Sequence, residues 1–148
     1  MISFFPDLNV WVALSVDGHS HGKDAWNWLG GMPHGSRLLF SRYTQVGLLR
    51  LLTNESAMGE RTLTLDRAWN VYDQWLGDPR VEFQAEPRSI EEAFRAVTEP
   101  FGEQPASRRV GDCYLLAYAR EVHATLATFD AALLRLAHKQ QCRAVFPA

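Results

Sequence analysis

The stretch that most constrains how this chain can fold is Arg108–Asp130, which reads RRVGDCYLLAYAREVHATLATFD. From Leu115 through Leu116, Ala119 and Val122, apolar residues recur at three- and four-residue spacing, as one face of a helix requires. Ala124–Phe129 is too short for a helix and long enough for a strand buried on both faces. Asp130 follows that run directly, and Ala131–His138 reads as a further helix. Helix, buried strand and helix in this order make a unit of a parallel α/β sheet. The pattern places Asp112 in the first turn of its helix, where its charge suits the positive end of the dipole. Ligands of open α/β sheets bind beyond the carboxyl ends of the strands. Asp130 stands at such an end, and the loop before the Asp112 helix is expected to open onto the same edge.

The rest of the chain repeats the alternation. Ile2–Phe5 reads as a strand ended by Pro6, with Asp7 at its end and Asn9 as N-cap of a short helix through Leu14. A loop, Asp17–Gly22, leads to a helix over Lys23–Leu29 closed by Gly30 and Gly31. Leu38–Phe40 is a second buried strand, with Ser41 at its end and a helix over Tyr43–Leu52 after it. Residues 55–62 read as a connecting loop. Leu65, Ala68, Trp69, Tyr72, Trp75 and Leu76 mark another helix, stopped by Gly77, Asp78 and Pro79. Val81–Phe83 is a third strand. Ser89 with Glu92 forms a capping box for a helix to Val97, and 100–109 is a loop containing Pro and Gly. Arg143–Phe146 supplies the last strand. The expectation is a single α/β domain over 1–148 with a parallel sheet covered on both faces.

Composition narrows the class. At 148 residues, 47% hydrophobic and 22% charged, the chain has the balance of a globular domain with a proper core. It has no basic leader at its start and no apolar run of about 18 residues, so the cytoplasm is the expected compartment and no membrane span is expected. Cys113 and Cys142 lack metal-ligand spacing and read as reduced, structural thiols. A net charge of -2 is no footprint for nonspecific nucleic-acid binding, although local phosphate contacts remain open. Only Lys23 and Lys139 are lysines, and arginine is the better bidentate phosphate ligand.

This layout lets Asp7, Asp112 and Asp130 converge on one sheet edge from three separate segments. Three close carboxylates repel, raising at least one pKa unless a cation holds them together. Oxygen ligands without His or Cys select Mg²⁺ or Mn²⁺, and Mg²⁺ takes one or two protein carboxylates along with water and phosphate oxygens. The chemistry this implies is hydrolysis of a phosphodiester.

Motifs in order along nearly the whole chain carry a family resemblance. They are Asp7-Leu8-Asn9-Val10, Ser41–Gln45 with Leu49–Asn54, Asp112–Ala119 and Leu126–Asp130. Together they resemble PIN-domain ribonucleases, and more narrowly the VapC-type toxins of toxin–antitoxin pairs. The resemblance implies a three-layer fold with a five-stranded parallel sheet and a metal-dependent endoribonuclease acting on RNA. It also implies a homodimer silenced by a cognate antitoxin. Asp7, Asp112 and Asp130 would be the metal-binding, catalytic acids, with Asn9 and Thr128 as supporting polar groups. Gln45 stands where many PIN domains carry glutamate. It can hold a water or orient Asp7 but adds no charge, which bears on a second metal.

Other readings stand beside these. Taken singly, Asp7 is a turn or cap residue, Asp112 a favourable helix charge and Asp130 an N-cap. Arg108 and Arg109 either grip RNA phosphate or form a solvated loop pair, and Arg50 either contacts substrate or makes a surface or inter-subunit ion pair. His19 and His21 form an H-x-H that lacks a further ligand in register. Trp26 and Trp28, two apart on a helix, cannot both face the core. The alternative function is a catalytically weak PIN scaffold that binds RNA or a protein partner without cleaving. Phosphatase and receiver-domain patterns fail for want of D-x-D, paired acids and a suitably placed lysine, and there is no P-loop.

Overall fold

The computed structural model describes residues 2–148. Five short strands form one sheet: β1 (Ser3–Pro6), β2 (Arg37–Phe40), β3 (Val81–Phe83), β4 (Thr125–Ala127) and β5 (Ala144–Val145). Every pairing is parallel, in the order β3-β2-β1-β4-β5. The central strand is therefore the first in sequence. Strand order runs outward from β1 to β3 on one side and resumes with β4 on the other. The switch in direction lies between β1 and β4, which leaves a crevice at their carboxyl ends.

Among the described residues eight α-helices connect the strands: α1 (Leu8–Ser15), α2 (Gly22–Gly30), α3 (Arg42–Leu52), α4 (Glu55–Met58), α5 (Leu65–Leu76), α6 (Ile90–Thr98), α7 (Ser107–Glu121) and α8 (Ala131–Lys139). Because strand side chains alternate, Leu38 and Phe40 enter one core while Leu39 enters the other. The first core is made with α1, α2, α3 and α5, and Trp11 stacks on Phe40 at its centre with ring centroids 3.9 Å apart. The second packs Phe5, Leu39 and Leu126 of the sheet against α6, α7 and α8. Burial on both faces is why the strands read as continuous apolar runs. Cys113 and Cys142 are free thiols, and Cys113 is buried in the second core. Trp28 packs edge-on against Phe4 while Trp26 is 53% exposed, so the pair does split between core and surface. Among the described residues no helix is long and apolar enough to cross a membrane.

Several local expectations are corrected. Pro6 stays in the ladder opposite Ala127, since a proline needs no ladder partner for its missing N–H at a strand's last residue. Asp7, not Asn9, caps the first helix, because its carboxylate accepts from Leu8 N at 2.7 Å and frees Asn9 to reach Thr128, just past β4. The 55–62 loop contains α4, capped by Asn54, and then a 3-10 turn at Gly59–Arg61. The Ser89 capping box does not form, as the Ser89 side chain makes no cap hydrogen bond. Helix α7 begins at Ser107, four residues before Gly111, so Arg108 and Arg109 are helical and Asp112 lies in the second turn. The helix dipole therefore does little for Asp112, since its effect fades beyond the first turn.

Candidate active site at the carboxyl end of the sheet

Asp7 leaves β1 with its N–H bonded to Ala127 O at 2.8 Å, so the end of β1 is fixed against the end of β4. One of its carboxylate oxygens caps α1, and the other accepts from Thr128 Oγ1 at 2.8 Å. Thr128 is fully buried. Its hydroxyl also accepts from Asn9 Nδ2 at 3.2 Å and from Asp130 N at 3.1 Å. A hydroxyl has one proton and two lone pairs, so Thr128 uses its whole capacity to tie Asp7, Asn9 and the start of α8 together. Asn9 completes the tie by accepting from Phe129 N at 3.3 Å.

Asp130 is the N-cap of α8. Its Oδ1 accepts from Ala132 N at 2.9 Å and Leu133 N at 3.2 Å, and the residue is exposed. Asp112 reaches the same end from α7. Burial raises its pKa above the ordinary carboxylate value, and the negative charges of Asp130 and Asp7 raise it further while Arg109 opposes them. Asp7 is raised too, by burial first and by Asp130 to a lesser degree, against the lowering effect of its Thr128 and Leu8 hydrogen bonds. The three aspartates thus lie within electrostatic reach of one another. Among the described residues, no group of three or more acidic, histidine or cysteine side chains stands where it could hold a metal ion, so the three aspartates do not form a three-ligand set. Two carboxylates raised by burial, with the charge of Asp130 adding to both, match in number the sparse protein ligation that Mg²⁺ accepts alongside water.

Gln45 does not join this network. It is buried, and its Oε1 accepts from Arg42 Nη1 at 2.6 Å. Arg42 in turn lies over the Phe83 ring at 4.5 Å. Arg50 lies on α3, lining a groove of about 500 Å³ with Arg42, Tyr43, Glu86 and Tyr114. Arg109 lies over the Phe101 ring, 5.7 Å from its centroid, whereas Arg108 is exposed on the helix surface. The H-x-H is a local turn: His19 Nδ1 accepts from His21 N at 3.0 Å, and His21 stacks on Phe129. Sequence reasoning passed over Arg135 and Lys139, which line a pocket with Arg109. Their i, i+4 spacing on the helix after Asp130 was the available signal.

Comparison with known proteins decides the family. The PIN domain family profile matches residues 4–139. The chain belongs to the PIN-domain family. This PIN domain is 37% identical over 130 residues to Ribonuclease VapC41 of Mycobacterium tuberculosis, covering 85% of this chain and 88% of the relative. Its fold is similar to the VapBC2 structure from Rickettsia felis bound to a promoter DNA fragment. That match has a TM-score of 0.72 at 12% identity over 97% of this chain and 98% of the other. VapBC-1 from nontypeable Haemophilus influenzae matches at TM-score 0.70 and 14% identity, over 98% and 97% of the two chains. Mycobacterium tuberculosis VapC20, described as a sarcin-ricin loop cleaving toxin, matches at 0.64 and 19% identity, over 89% and 93%. The five-stranded parallel sheet with helices on both faces is the fold these proteins share with this PIN domain.

Proposed function

We propose that this PIN domain, folded as one domain over 1–148, is an Mg²⁺- or Mn²⁺-dependent endoribonuclease toxin of the cytoplasm, held inactive by a cognate antitoxin. The observation that carries this reading is that burial, with the charge of Asp130 added, raises the pKa of both Asp7 at the end of β1 and Asp112 on α7, beside the β1–β4 switch point. The relative named a ribonuclease and the VapBC likeness support it. Asp7 and Asp112 would hold the ion directly, with Asp130 acting through a water from its uncapped oxygen. Such an ion supplies charge neutralisation at the phosphate and a more acidic water. The chain's own groups do the rest. Thr128 and Asn9 fix the rotamer of Asp7, and Asp130 orients the attacking water. Arg109, with Arg108 and Arg50 farther out, stabilises charge growing on the phosphate oxygens. Water oxygen bonds to phosphorus as the bond to the 3′-oxygen breaks, and the leaving 3′-oxygen takes a proton.

Purified protein is expected to cut RNA with Mg²⁺ or Mn²⁺ and to stop on chelation, with Asp7→Asn and Asp112→Asn inactive. RNA binding that survives those changes, with no turnover in the unaltered chain, would instead identify a scaffold. Light scattering of the pure chain tests the proposed homodimer, for which a mass of twice 16.8 kDa is expected.

A further inference from the structure

A pocket of about 470 Å³ lies beside the acids, between the start of α7 and α8. Arg109, Arg135 and Lys139 line it with Phe101 and Leu136, and no carboxylate does. None of these three cations forms an ion pair among the described residues, although acidic side chains outnumber basic ones over the whole chain. Lys139 near the end of α8 suits the helix dipole by itself. The dipole gives no reason for Arg135 in mid-helix or for Arg109 near the N-terminal end of α7, where a cation is unfavourable. The pocket also adjoins the acids on both walls. Arg109 is one turn ahead of Asp112, and Ala132, another lining residue, donates its N–H to Asp130. At about 1.5 Å per residue, Arg135 and Lys139 stand about 7.5 and 13.5 Å along α8 from Asp130, the stride of one to two nucleotides.

We propose that this pocket is the subsite for the nucleotide next to the scissile bond, its phosphate held by Arg135 and Lys139 and its base laid against Phe101 and Leu136. Volume and lining suit that ligand: nucleotide-sized sites are concave and mainly apolar with a few convergent charges, and unpaired RNA bases stack on aromatic and guanidinium planes. Such a pocket selects unstacked RNA over duplex. The location relative to cleavage rests on the nuclease reading above, whereas the affinity of the pocket for RNA does not.

The test is binding of a fluorescent single-stranded RNA, by anisotropy across a salt series, with chelator present to prevent cleavage. The Arg135→Gln, Lys139→Gln double variant, whose glutamines keep helix propensity, is compared with a Lys23→Ala, Arg67→Ala double variant of equal net charge. The pocket variant is expected to lose about tenfold in affinity, the size of one charge-assisted contact, and its slope of log K against log salt is expected to shrink by about 0.7 for each cation that neutralises a phosphate. The remote variant is expected to match the wild type, and equal curves for all three proteins overturn the subsite. With Mn²⁺ restored, an RNA made abasic at the nucleotide flanking the mapped cut should show a raised KM, and an unchanged KM at both flanks overturns the base contact. If the wild type never cuts, the nuclease reading fails while the salt slopes still judge the pocket.

Discussion

Thr128 is the single side chain on which the site's geometry turns. Its hydroxyl donates to Asp7 and accepts from Asn9 and the Asp130 N–H, all from a fully buried position. Thr128→Val keeps the shape and strands those partners, which should cost about 2 kcal/mol of stability and lower kcat as Asp7 loses its fixed rotamer. Thr128→Ser should restore most of both, and chemical denaturation with steady-state kinetics checks the pair. Asp112 carries the opposite trade. Its folded pKa is raised, so the folded chain binds that proton more tightly than the unfolded one, and the ionised form opposes folding at neutral pH. Metal-free Asp112→Asn is therefore expected to melt above the wild type at pH 7, by about 2–4 °C per kcal/mol of repulsion removed. The gap should close as pH falls through the raised pKa, and also on adding Mg²⁺. Cleavage responds to the same titration with the reverse sense. On the proposed metal reading protons compete with the ion for Asp7 and Asp112, so activity at limiting Mg²⁺ should fall in mild acid, above the range of an ordinary carboxylate, and excess Mg²⁺ should move that fall to lower pH. A pH–rate profile indifferent to metal concentration would contradict this.

At the scale of elements, the strands and long helices were legible because two-sided burial writes continuous apolar runs and packing writes helical spacing. All five strands fall where those runs predict. Helix starts were less legible. Asp7 and Asn9 are both good caps, and only the third dimension, with Thr128 across the switch point, assigns one to the helix and the other to the turn after β4. The start of α7 was hidden for a similar reason. Nothing local marks Ser107, and the helix is extended by packing against α6 and by Arg109 resting on Phe101. Likewise the partner of Gln45 could not be read from sequence, since Arg42 captures it from the preceding turn. The ends of α7 and α8 carry a different signature. His123 and Gln141 turn into β4 and β5 in the left-handed conformation, at φ 58° and 56°. A side chain there costs about 1 kcal/mol relative to glycine. His123→Gly should therefore raise stability by up to about that much, and His123→Val should lower it, as melting curves would show.

For the molecule as a whole, what matters is which parts of the chain the central strands bring together. β1 and β4 are neighbours in the sheet although residues 7 and 128 lie 121 positions apart, and their pairing closes most of the chain into one loop. Contacts of such long range form slowly. The helices of the first core can assemble from the first half of the chain, but the crevice has only one wall until β4 arrives. If the proposed acids do the cutting, a polypeptide still emerging from the ribosome holds Asp7 alone, then Asp7 with Asp112, and spares nearby transcripts. On that reading it would become dangerous only once synthesis has passed Asp130, which would give the cell the whole duration of translation in which to have an inhibitor waiting.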